Sequence, residues 1–202
     1  AGAAGALLGR ALETPLPYVE TPDTRRALGA FAAFWRSQFK IPVIAVTGSN
    51  GKTTVKEMLA AIFARRGKGC VTRGNLNNDI GVPLTLLRLR ADDAYAVIEM
   101  GMNHRGEIEY LTRLTRPTVA LITNAAEAHL AGLGSVAAIA HAKGEIFAGL
   151  ADDGTAVINA DDAYSELWKS LAAPRRVVTF GLDRKADVSA DVALDGDGCA
   201  LR

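Results

Sequence analysis

Short apolar runs alternate with stretches of helical periodicity from Ile41 onwards. The runs are rich in β-branched residues and are apolar at consecutive positions, as is typical of strands buried on both faces of a parallel sheet. They occupy residues 43–46, 95–98, 119–122, 156–158 and 177–180. The segments between them, at about 52–66, 104–115, 135–150 and 161–172, predict helices. The alternation predicts an α/β fold with a doubly wound, mostly parallel sheet.

The two ends of the chain have a different pattern. Residues 1–37 combine a proline-containing extended stretch with one amphipathic helix, and residues 186–202 contain many aspartates and a Gly-Asp-Gly turn. We expect residues 186–202 to be the start of a further hairpin or the end of the central domain. Because the chain begins without Met and ends abruptly, we expect it to be a truncated piece of a longer protein.

Composition and charge narrow the class of protein. The chain has 23 basic and 22 acidic residues, a formal net charge of +1, which argues against a nucleic-acid-binding surface. No apolar run approaches the length of a membrane span, so we expect no membrane insertion. Cys70 and Cys199 match neither a disulfide framework nor a metal-ligand pattern and fit a reducing cytoplasm.

A glycine-rich turn follows the first predicted strand and leads into a predicted helix, which is the context of a phosphate-binding loop. Its glycines allow the backbone to turn and to present N–H groups to phosphate oxygens. Lys52 can reach the β- and γ-phosphates, and the hydroxyl of Thr53 can ligate Mg²⁺. The turn therefore predicts binding of ATP with Mg²⁺. Its residues are Thr47, Gly48, Ser49, Asn50, Gly51, Lys52, Thr53 and Thr54.

The spacing of the two glycines is unusual. Only two residues separate Gly48 from Gly51, whereas the common phosphate loop has four. This spacing, and the lack of a guanine-reading Asn-Lys-x-Asp segment, argue against an unrelated phosphate-loop NTPase that acts as a switch. A solvated lysine in an ordinary turn is the simpler alternative, but the strand, both glycines and the helix favour the phosphate loop.

Five further segments follow the loop, at residues 73–83, 99–103, 124–130, 142–147 and 159–162. Together with the loop, their order and spacing resemble the Mur ligases of cell-wall synthesis over residues 38–185. The Asn-x-Asn-Asn-x-x-Gly-Val-Pro and Ala-Lys-Gly-Glu-Ile-Phe segments look most like the branch that adds D-alanyl-D-alanine. The resemblance implies a central ATP-binding domain at 38–185, preceded at 1–37 by the remnant of an amino-terminal substrate domain and a linker.

The resemblance implies a reaction and its partners. ATP would phosphorylate the terminal carboxylate of UDP-N-acetylmuramoyl-tripeptide, and the amine of D-alanyl-D-alanine would attack the acyl phosphate. One alternative is another Mur ligase or an amide ligase similar to folylpolyglutamate synthase. Another is that this chain alone, without its flanking domains, binds nucleotide and has no ligase activity.

Three residues beyond the loop are candidates for a metal site. Glu99 ends a buried strand and is suited to hold Mg²⁺, the alternative being a strand-end acid in solvent. His129 follows the strand at 119–123; by itself it would be a structural histidine, but the resemblance implies a metal-site histidine there. Lys143 lies on the apolar stripe of its predicted helix, where it either snorkels to the surface or is buried with a lowered pKa. The resemblance implies a carbamylated lysine that supports a second Mg²⁺.

Two polar groups remain as candidate ligand contacts. Asn75, Asn77 and Asn78 lie in a glycine-flanked loop; asparagines are common in turns, but the resemblance implies that this loop faces the muramoyl-peptide substrate. Asn159 and Asp161 follow the strand at 155–158. They are candidates for capping the next helix, for contacting the adenine and ribose, or for both.

Overall fold

A sheet of six parallel strands forms the centre of the computed structural model, which describes residues 2–127, 133–195 and 198–201. Two short strands, β1 (Ala6–Leu8) and β2 (Tyr18–Glu20), pair in parallel ahead of the sheet. The strands of the sheet are β3 (Val43–Thr47), β4 (Gly69–Val71), β5 (Tyr95–Glu99), β6 (Val119–Ile122), β7 (Thr155–Asn159) and β8 (Arg176–Phe180).

The strand order across the sheet is β4-β5-β3-β6-β7-β8. The order changes direction at β3, because the next two strands lie on one side of it and the following three on the other. Doubly wound sheets bind ligands at the carboxyl ends of their strands where the order reverses. The loop after β3 lies at this point. The predicted fold class is confirmed. The chain then ends in an antiparallel pair, β9 (Val192–Asp195) and β10 (Gly198–Leu201).

Six helices of the described residues surround the sheet. They are α1 (Thr24–Ser37), α2 (Lys52–Phe63), α3 (Gly81–Leu86), α4 (Glu107–Thr115), α5 (Val136–Gly144) and α6 (Ser165–Ala172). Short 3₁₀ turns at Ala64–Arg66 and Glu145–Gly149 continue α2 and α5. Within the described ranges, no helix combines the length and the apolar character that a membrane span requires.

The two faces of the sheet are covered unequally. One face packs against α2, whose Val55, Leu59 and Phe63 contact alternate residues of the central strands. The larger core, on the opposite face, includes residues of the other five described helices. β3 and β5 are buried at every position, as the continuous apolar runs predict. β6 and β7 instead alternate between buried and half-buried residues, and β8 is buried only at Thr179, so burial on both faces was a wrong prediction for these three strands.

Two helices begin later than the sequence predicts. α4 begins at Glu107 rather than near residue 104, because the Glu107 carboxylate accepts the backbone N–H groups of Asn103 and His104 at 2.6 and 3.2 Å. α6 begins at Ser165 rather than near residue 161, and no side chain caps it. The helix-capping alternative for Asp161 is therefore wrong. Its carboxylate instead accepts N–H groups from the turn at residues 182–184.

Glu145 caps α4 from a distant part of the chain. Its carboxylate accepts the N–H of Gly106 at 2.9 and 3.0 Å and that of Glu109 at 3.2 Å. These are N–H groups at the start of a helix that has no cap of its own. A carboxylate there is also favoured by the helix dipole. The contact fixes the loop between β5 and α4 to the segment that follows α5.

We expect Glu145→Ala to lower the free energy of unfolding by about 1 kcal/mol, the typical cost of losing a helix cap. Urea unfolding followed by circular dichroism would measure the change. The matched control is Glu166→Ala, since Glu166 is an exposed glutamate that pairs only with Lys169 on its own helix. Its loss should cost less than about 0.5 kcal/mol. Equal effects of the two substitutions would contradict the capping role.

Candidate nucleotide and metal site

The glycine-rich loop connects the carboxyl end of β3 to the amino terminus of α2. Gly51 precedes the helix with φ of 77°, in the left-handed region that glycine adopts at low cost. Gly48 has no room for a side chain, because a Cβ there would overlap the hydroxyl of Thr123. No side chain caps α2, which begins at Lys52. Its first N–H groups are therefore available to an anion, as at other helix amino termini that bind phosphate.

The segment after β6 braces one side of the loop. The Ser49 N–H donates to the carbonyl of Asn124 at 3.0 Å, and the Asn50 N–H donates to the side-chain oxygen of Asn124 at 3.0 Å. The Ser49 hydroxyl donates to the carbonyl of Ala126 at 3.1 Å, and the Thr123 hydroxyl donates to the carbonyl of Asn50 at 2.7 Å. The backbone of Ser49 and Asn50 is therefore fixed by protein contacts rather than left for the phosphates.

The side chain of Lys52 folds back over the glycine-rich turn that precedes it. Its ammonium donates to the carbonyl of Gly48 at 2.7 Å and to that of Ser49 at 3.3 Å. Burial lowers the pKa of Lys52, and the negative charge of Glu99 opposes that effect. Phosphate oxygens would compete for this ammonium with neutral carbonyls, which are weaker acceptors. Thr54, the last residue of the predicted loop, is exposed within the first turn of α2.

Glu99, the last residue of β5, is a buried carboxylate, only 2% exposed. One carboxylate oxygen accepts from the Thr53 hydroxyl at 2.9 Å, and the other accepts from the side-chain amide of Asn77 at 2.8 Å. The alternative of a strand-end acid in solvent is wrong. In the described residues, Glu99 forms no ion pair with lysine or arginine. A buried carboxylate without a cation is unfavourable, so the pair of Thr53 and Glu99 fits a hard, oxygen-binding cation such as Mg²⁺.

The other predicted metal ligands are placed only in part. The described residues contain no cluster of three or more His, Cys, Asp or Glu side chains able to hold a metal ion by themselves. Mg²⁺ at nucleotide sites commonly takes one or two protein ligands and completes its shell with phosphate and water oxygens. His129 lies outside the described residues, so its role as a metal ligand stays a prediction.

Lys143 in α5 is buried, with 2% of its surface exposed, so the snorkelling alternative is wrong. No carboxylate of the described residues pairs with it. Burial and, as the second cause, the positive charge of Lys52 together lower the pKa of Lys143 from 10.5 to about 7. A substantial fraction of this amine is therefore neutral near pH 7, and the two lysines face the same region.

The three asparagines of the 73–80 loop have different surroundings. Asn77 is half-buried; its amide contacts Glu99, and its carbonyl accepts the N–H of Gly101 at 2.8 Å. The side-chain oxygen of Asn78 accepts the N–H groups of Ile80 and Gly81 and so forms the turn before α3. Asn77 and Asn78 also line a cleft of about 720 Å³ that reaches Lys52. Asn75 is exposed and is not among the residues that line the cleft.

Asn159 and Asp161 use their side chains within the protein. The Asn159 amide donates to the carbonyl of Thr123 at 2.9 Å, and its side-chain oxygen accepts the N–H of Asp161 at 3.0 Å. Asp161 accepts N–H groups from the turn after β8, first among them that of Leu182, and these contacts lower the pKa of its carboxyl. Both residues connect the ends of neighbouring strands. Asn159 reaches the segment that braces the phosphate loop.

Sequence reasoning missed two residues that support Glu99. Lys56, on α2, is completely buried and donates to the carbonyl of Thr72 at 3.0 Å. The hydroxyl of Thr72 in turn accepts the backbone N–H of Glu99 at 3.0 Å. The available signal was weak: Lys56 follows Lys52 by one helical turn, and Thr72 follows a strand of only three residues.

These features define a class of protein: a phosphate-loop nucleotide-binding domain on a doubly wound parallel sheet. Residues 46–201 match a family model described as the Mur ligase middle domain. The chain belongs to the Mur ligase family.

Three relatives illustrate the similarity. A ligase of Escherichia coli (strain K12) named UDP-N-acetylmuramoyl-tripeptide–D-alanyl-D-alanine ligase is 54% identical over 181 residues, which are 89% of this chain and 40% of the relative. A structure of the UDP-N-acetylmuramoylalanyl-D-glutamyl-2,6-diaminopimelate–D-alanyl-D-alanyl ligase from Acinetobacter baumannii is 38% identical with a TM-score of 0.88, covering 97% of this chain and 43% of that one. MurF ligase from Thermotoga maritima, solved in complex with ADP, is 26% identical with a TM-score of 0.86, covering 99% and 46%. The chain thus spans less than half the length of these relatives.

The lowered pKa of Lys143 predicts a pH dependence of stability. Between pH 7 and pH 10.5 the unfolded chain carries a proton on this lysine that the folded chain lacks, so the free energy of unfolding rises with pH across that window. The slope from this one group is at most about 1.4 kcal/mol per pH unit. We expect Lys143→Met to remove this contribution to the pH slope. Urea unfolding at pH 7.5 and 9.5 in CO₂-free buffer would measure it. Lys169→Met, at a surface lysine, should retain this contribution; a slope in Lys143→Met as large as that of the wild-type protein would contradict the assignment.

Proposed function

We propose that this chain is the ATP-binding part of a cytoplasmic ligase of peptidoglycan precursor synthesis. The ligase joins D-alanyl-D-alanine to UDP-N-acetylmuramoyl-tripeptide through an acyl phosphate. The observation that carries the proposal is the buried Glu99 carboxylate, which shares a hydrogen bond with Thr53 of the phosphate loop and has no cation of its own in the described residues. The names of the Escherichia coli and Acinetobacter baumannii relatives support the choice of substrates.

The chemistry requires activation of a poor electrophile. A carboxylate oxygen of the acceptor forms a bond to the γ-phosphorus of ATP as ADP leaves. The amine of D-alanyl-D-alanine then bonds to the acyl carbon, inorganic phosphate leaves and the amine gives up a proton. The first step brings two anions together, so it depends on positive charge around the transferring phosphoryl group.

The residues of this chain meet that requirement from two sides. Lys52 and the uncapped amino terminus of α2 would bind the phosphates of ATP. The Thr53 hydroxyl and the Glu99 carboxylate would hold Mg²⁺, which supplies charge neutralisation when bound. Asn77 would keep the Glu99 carboxylate oriented through its 2.8 Å hydrogen bond. This contact favours a supporting role for Asn77 beside its proposed contact with the acceptor.

Lys143 and His129 remain proposals for the second part of the metal site. A neutral, buried Lys143 is able to react with CO₂, and the resulting carbamate would be a negatively charged group able to hold a second Mg²⁺. The structure offers less support for Asn159 and Asp161 as contacts of the adenine and ribose, because their polar atoms already have protein partners. Asn75, which is exposed and outside the cleft, is the least supported of the acceptor contacts.

The proposed domain organisation follows from the same assignment. Residues 38–185 would form the ATP-binding domain and residues 1–37 the end of the preceding substrate domain with its linker. Residues 186–202 would form a hairpin of, or after, the central domain. By itself the chain would bind nucleotide without ligating, since its relatives are more than twice as long.

The decisive measurement is phosphate release by the full-length protein that carries this chain. We expect release from ATP only when UDP-N-acetylmuramoyl-tripeptide and D-alanyl-D-alanine are both supplied. Glu99→Gln should lower kcat by roughly 100-fold through lost electrostatic stabilisation, whereas Glu166→Gln, at an exposed position, should leave kcat unchanged. Full turnover with a single amino acid or with a folate acceptor, and none with the dipeptide, would reject the assignment in favour of another ligase of this fold.

Ligation by the 202 residues alone would reject the proposal that they lack activity.

Carbamylation of Lys143 has a direct spectroscopic test. In buffer with ¹³C-bicarbonate, the full-length protein should give a carbamate ¹³C signal that increases as the pH rises through about 7, where the lysine loses its proton. The signal should disappear in Lys143→Met and persist in Lys169→Met. No signal, or one that remains in Lys143→Met, would contradict the carbamate.

A further inference from the structure

A cleft of about 720 Å³ opens beside the phosphate loop. Three segments form its walls: the first turn of α1, the asparagine loop before α3, and the loop between β5 and α4. Lys52 belongs to the same lining, so the cleft continues to the place where the γ-phosphate of ATP would lie. Its size suits an extended small molecule rather than a single ion.

The acidic side chains of the cleft are all engaged. The carboxylate of Asp23 accepts the N–H of Arg26 as the cap of α1, at 2.9 Å. Asp79 pairs with Arg25 at 3.1 Å. Glu107 accepts the N–H groups of the loop before α4. Each of the three carboxylates that line the cleft therefore already has a partner in the protein.

The basic side chains are engaged only in part. The cleft contains four of them: Arg25, Arg26, Lys52 and Arg105. Arg25 pairs with Asp79, but no carboxylate of the described residues pairs with the other three. The cleft thus presents two guanidinium groups and the loop lysine that have no carboxylate partner, and its lining has one more basic than acidic side chain, so it favours an anionic ligand.

Arg26 is held in place before any ligand arrives. Its guanidinium lies 4.2 Å from the centre of the Tyr110 ring, a cation–π contact that leaves the edge of the guanidinium free for hydrogen bonds. Tyr110 belongs to α4 and packs against the main core. Gly29 on α1 gives the tyrosine room, because a Cβ at that position would overlap its hydroxyl.

Arg105 lies on a loop that carboxylates fix at both ends. Glu107 holds the N–H groups of Asn103 and His104, and Glu145 holds that of Gly106. Arg105 is exposed between these contacts. Since the backbone on both sides is fixed, the side chain of Arg105 starts from a defined position in the wall of the cleft.

The acceptor proposed above has a matching number of charges. The acceptor named for the Acinetobacter baumannii relative ends in D-glutamyl-2,6-diaminopimelate. A glutamyl residue within a peptide keeps one free carboxylate, and a terminal diaminopimelate keeps two. One of these three carboxylates reacts with ATP, and the other two need partners. We propose that Arg26 and Arg105 form a two-point clamp for the two carboxylates of the acceptor peptide that do not react, while the third lies towards Lys52.

This inference rests on the proposed function, and kinetics of the full-length protein test it. We expect Arg26→Gln and Arg105→Gln each to raise KM for the UDP-linked tripeptide by about 10-fold, the usual effect of losing one charge-assisted hydrogen bond. The KM for ATP and kcat should change by less than about twofold, because uniform binding of the acceptor is lost rather than transition-state stabilisation. Arg26→Lys should recover part of the loss. Arg113→Gln, at an arginine of α4 that pairs with Glu109 outside the cleft, is the matched control.

A chemically modified acceptor separates this role from a structural one. In a tripeptide acceptor whose two non-reacting carboxylates are converted to amides, the wild-type protein should show a raised KM, and the arginine variants should add no further loss. Unchanged KM in both variants would overturn the clamp while leaving the proposed function intact. The clamp would also be overturned if the arginine substitutions raised KM for the amidated acceptor as much as for the natural one. A parallel rise in KM for ATP in the variants would overturn it too. No product from the wild-type protein with the muramoyl peptide would reject both proposals.

Discussion

The carboxylate of Glu99 connects the parts of the site to one another. Its two oxygens join the first turn of α2, through Thr53, to the asparagine loop, through Asn77. Its backbone N–H donates to Thr72, whose carbonyl accepts from the buried Lys56 of α2. A buried carboxylate that meets only neutral donors is unfavourable unless a cation completes its surroundings. The same group that orders three segments is therefore also the one that a bound cation would stabilise.

Positive charge accumulates around this carboxylate without being paired. Lys52 lies across the phosphate loop on neutral carbonyls, and Lys143 lies buried near enough for the charge of Lys52 to lower its pKa. Two ammonium groups held in this way repel each other, and this repulsion adds to the effect of burial on the pKa of Lys143. An anionic nucleotide would relieve the repulsion at Lys52, and a carbamate would reverse the charge at Lys143. Both proposed changes act in the same direction, towards a site that is neutralised only when it is loaded.

Local patterns predicted the centre of the fold, and distant contacts decided the rest. The phosphate loop is contiguous, and Glu99 ends a strand that is apolar at every preceding position, so both could be found from the sequence. The contact of Asn77 with Glu99 spans 22 residues and that of Glu145 with Gly106 spans 39, and neither pair has a local signal. β4 is only three residues long and was not predicted as a strand. Asp161 precedes a helical pattern as a cap would, but the turn after β8 uses its carboxylate instead.

The asparagine loop lies between the candidate metal site at Glu99 and the cleft proposed for the acceptor. Asn77 contacts Glu99 through its side chain, fixes Gly101 through its carbonyl and lines the cleft. Asn78 lines the cleft beside it while starting the turn into α3. A ligand in the cleft would therefore contact the same loop that orients the Glu99 carboxylate. The two sites do not need a long pathway to influence each other, because they share a residue. Their common edge of the sheet is the one at which the strand order reverses, so the topology that would place the phosphates there would also place the proposed acceptor beside them.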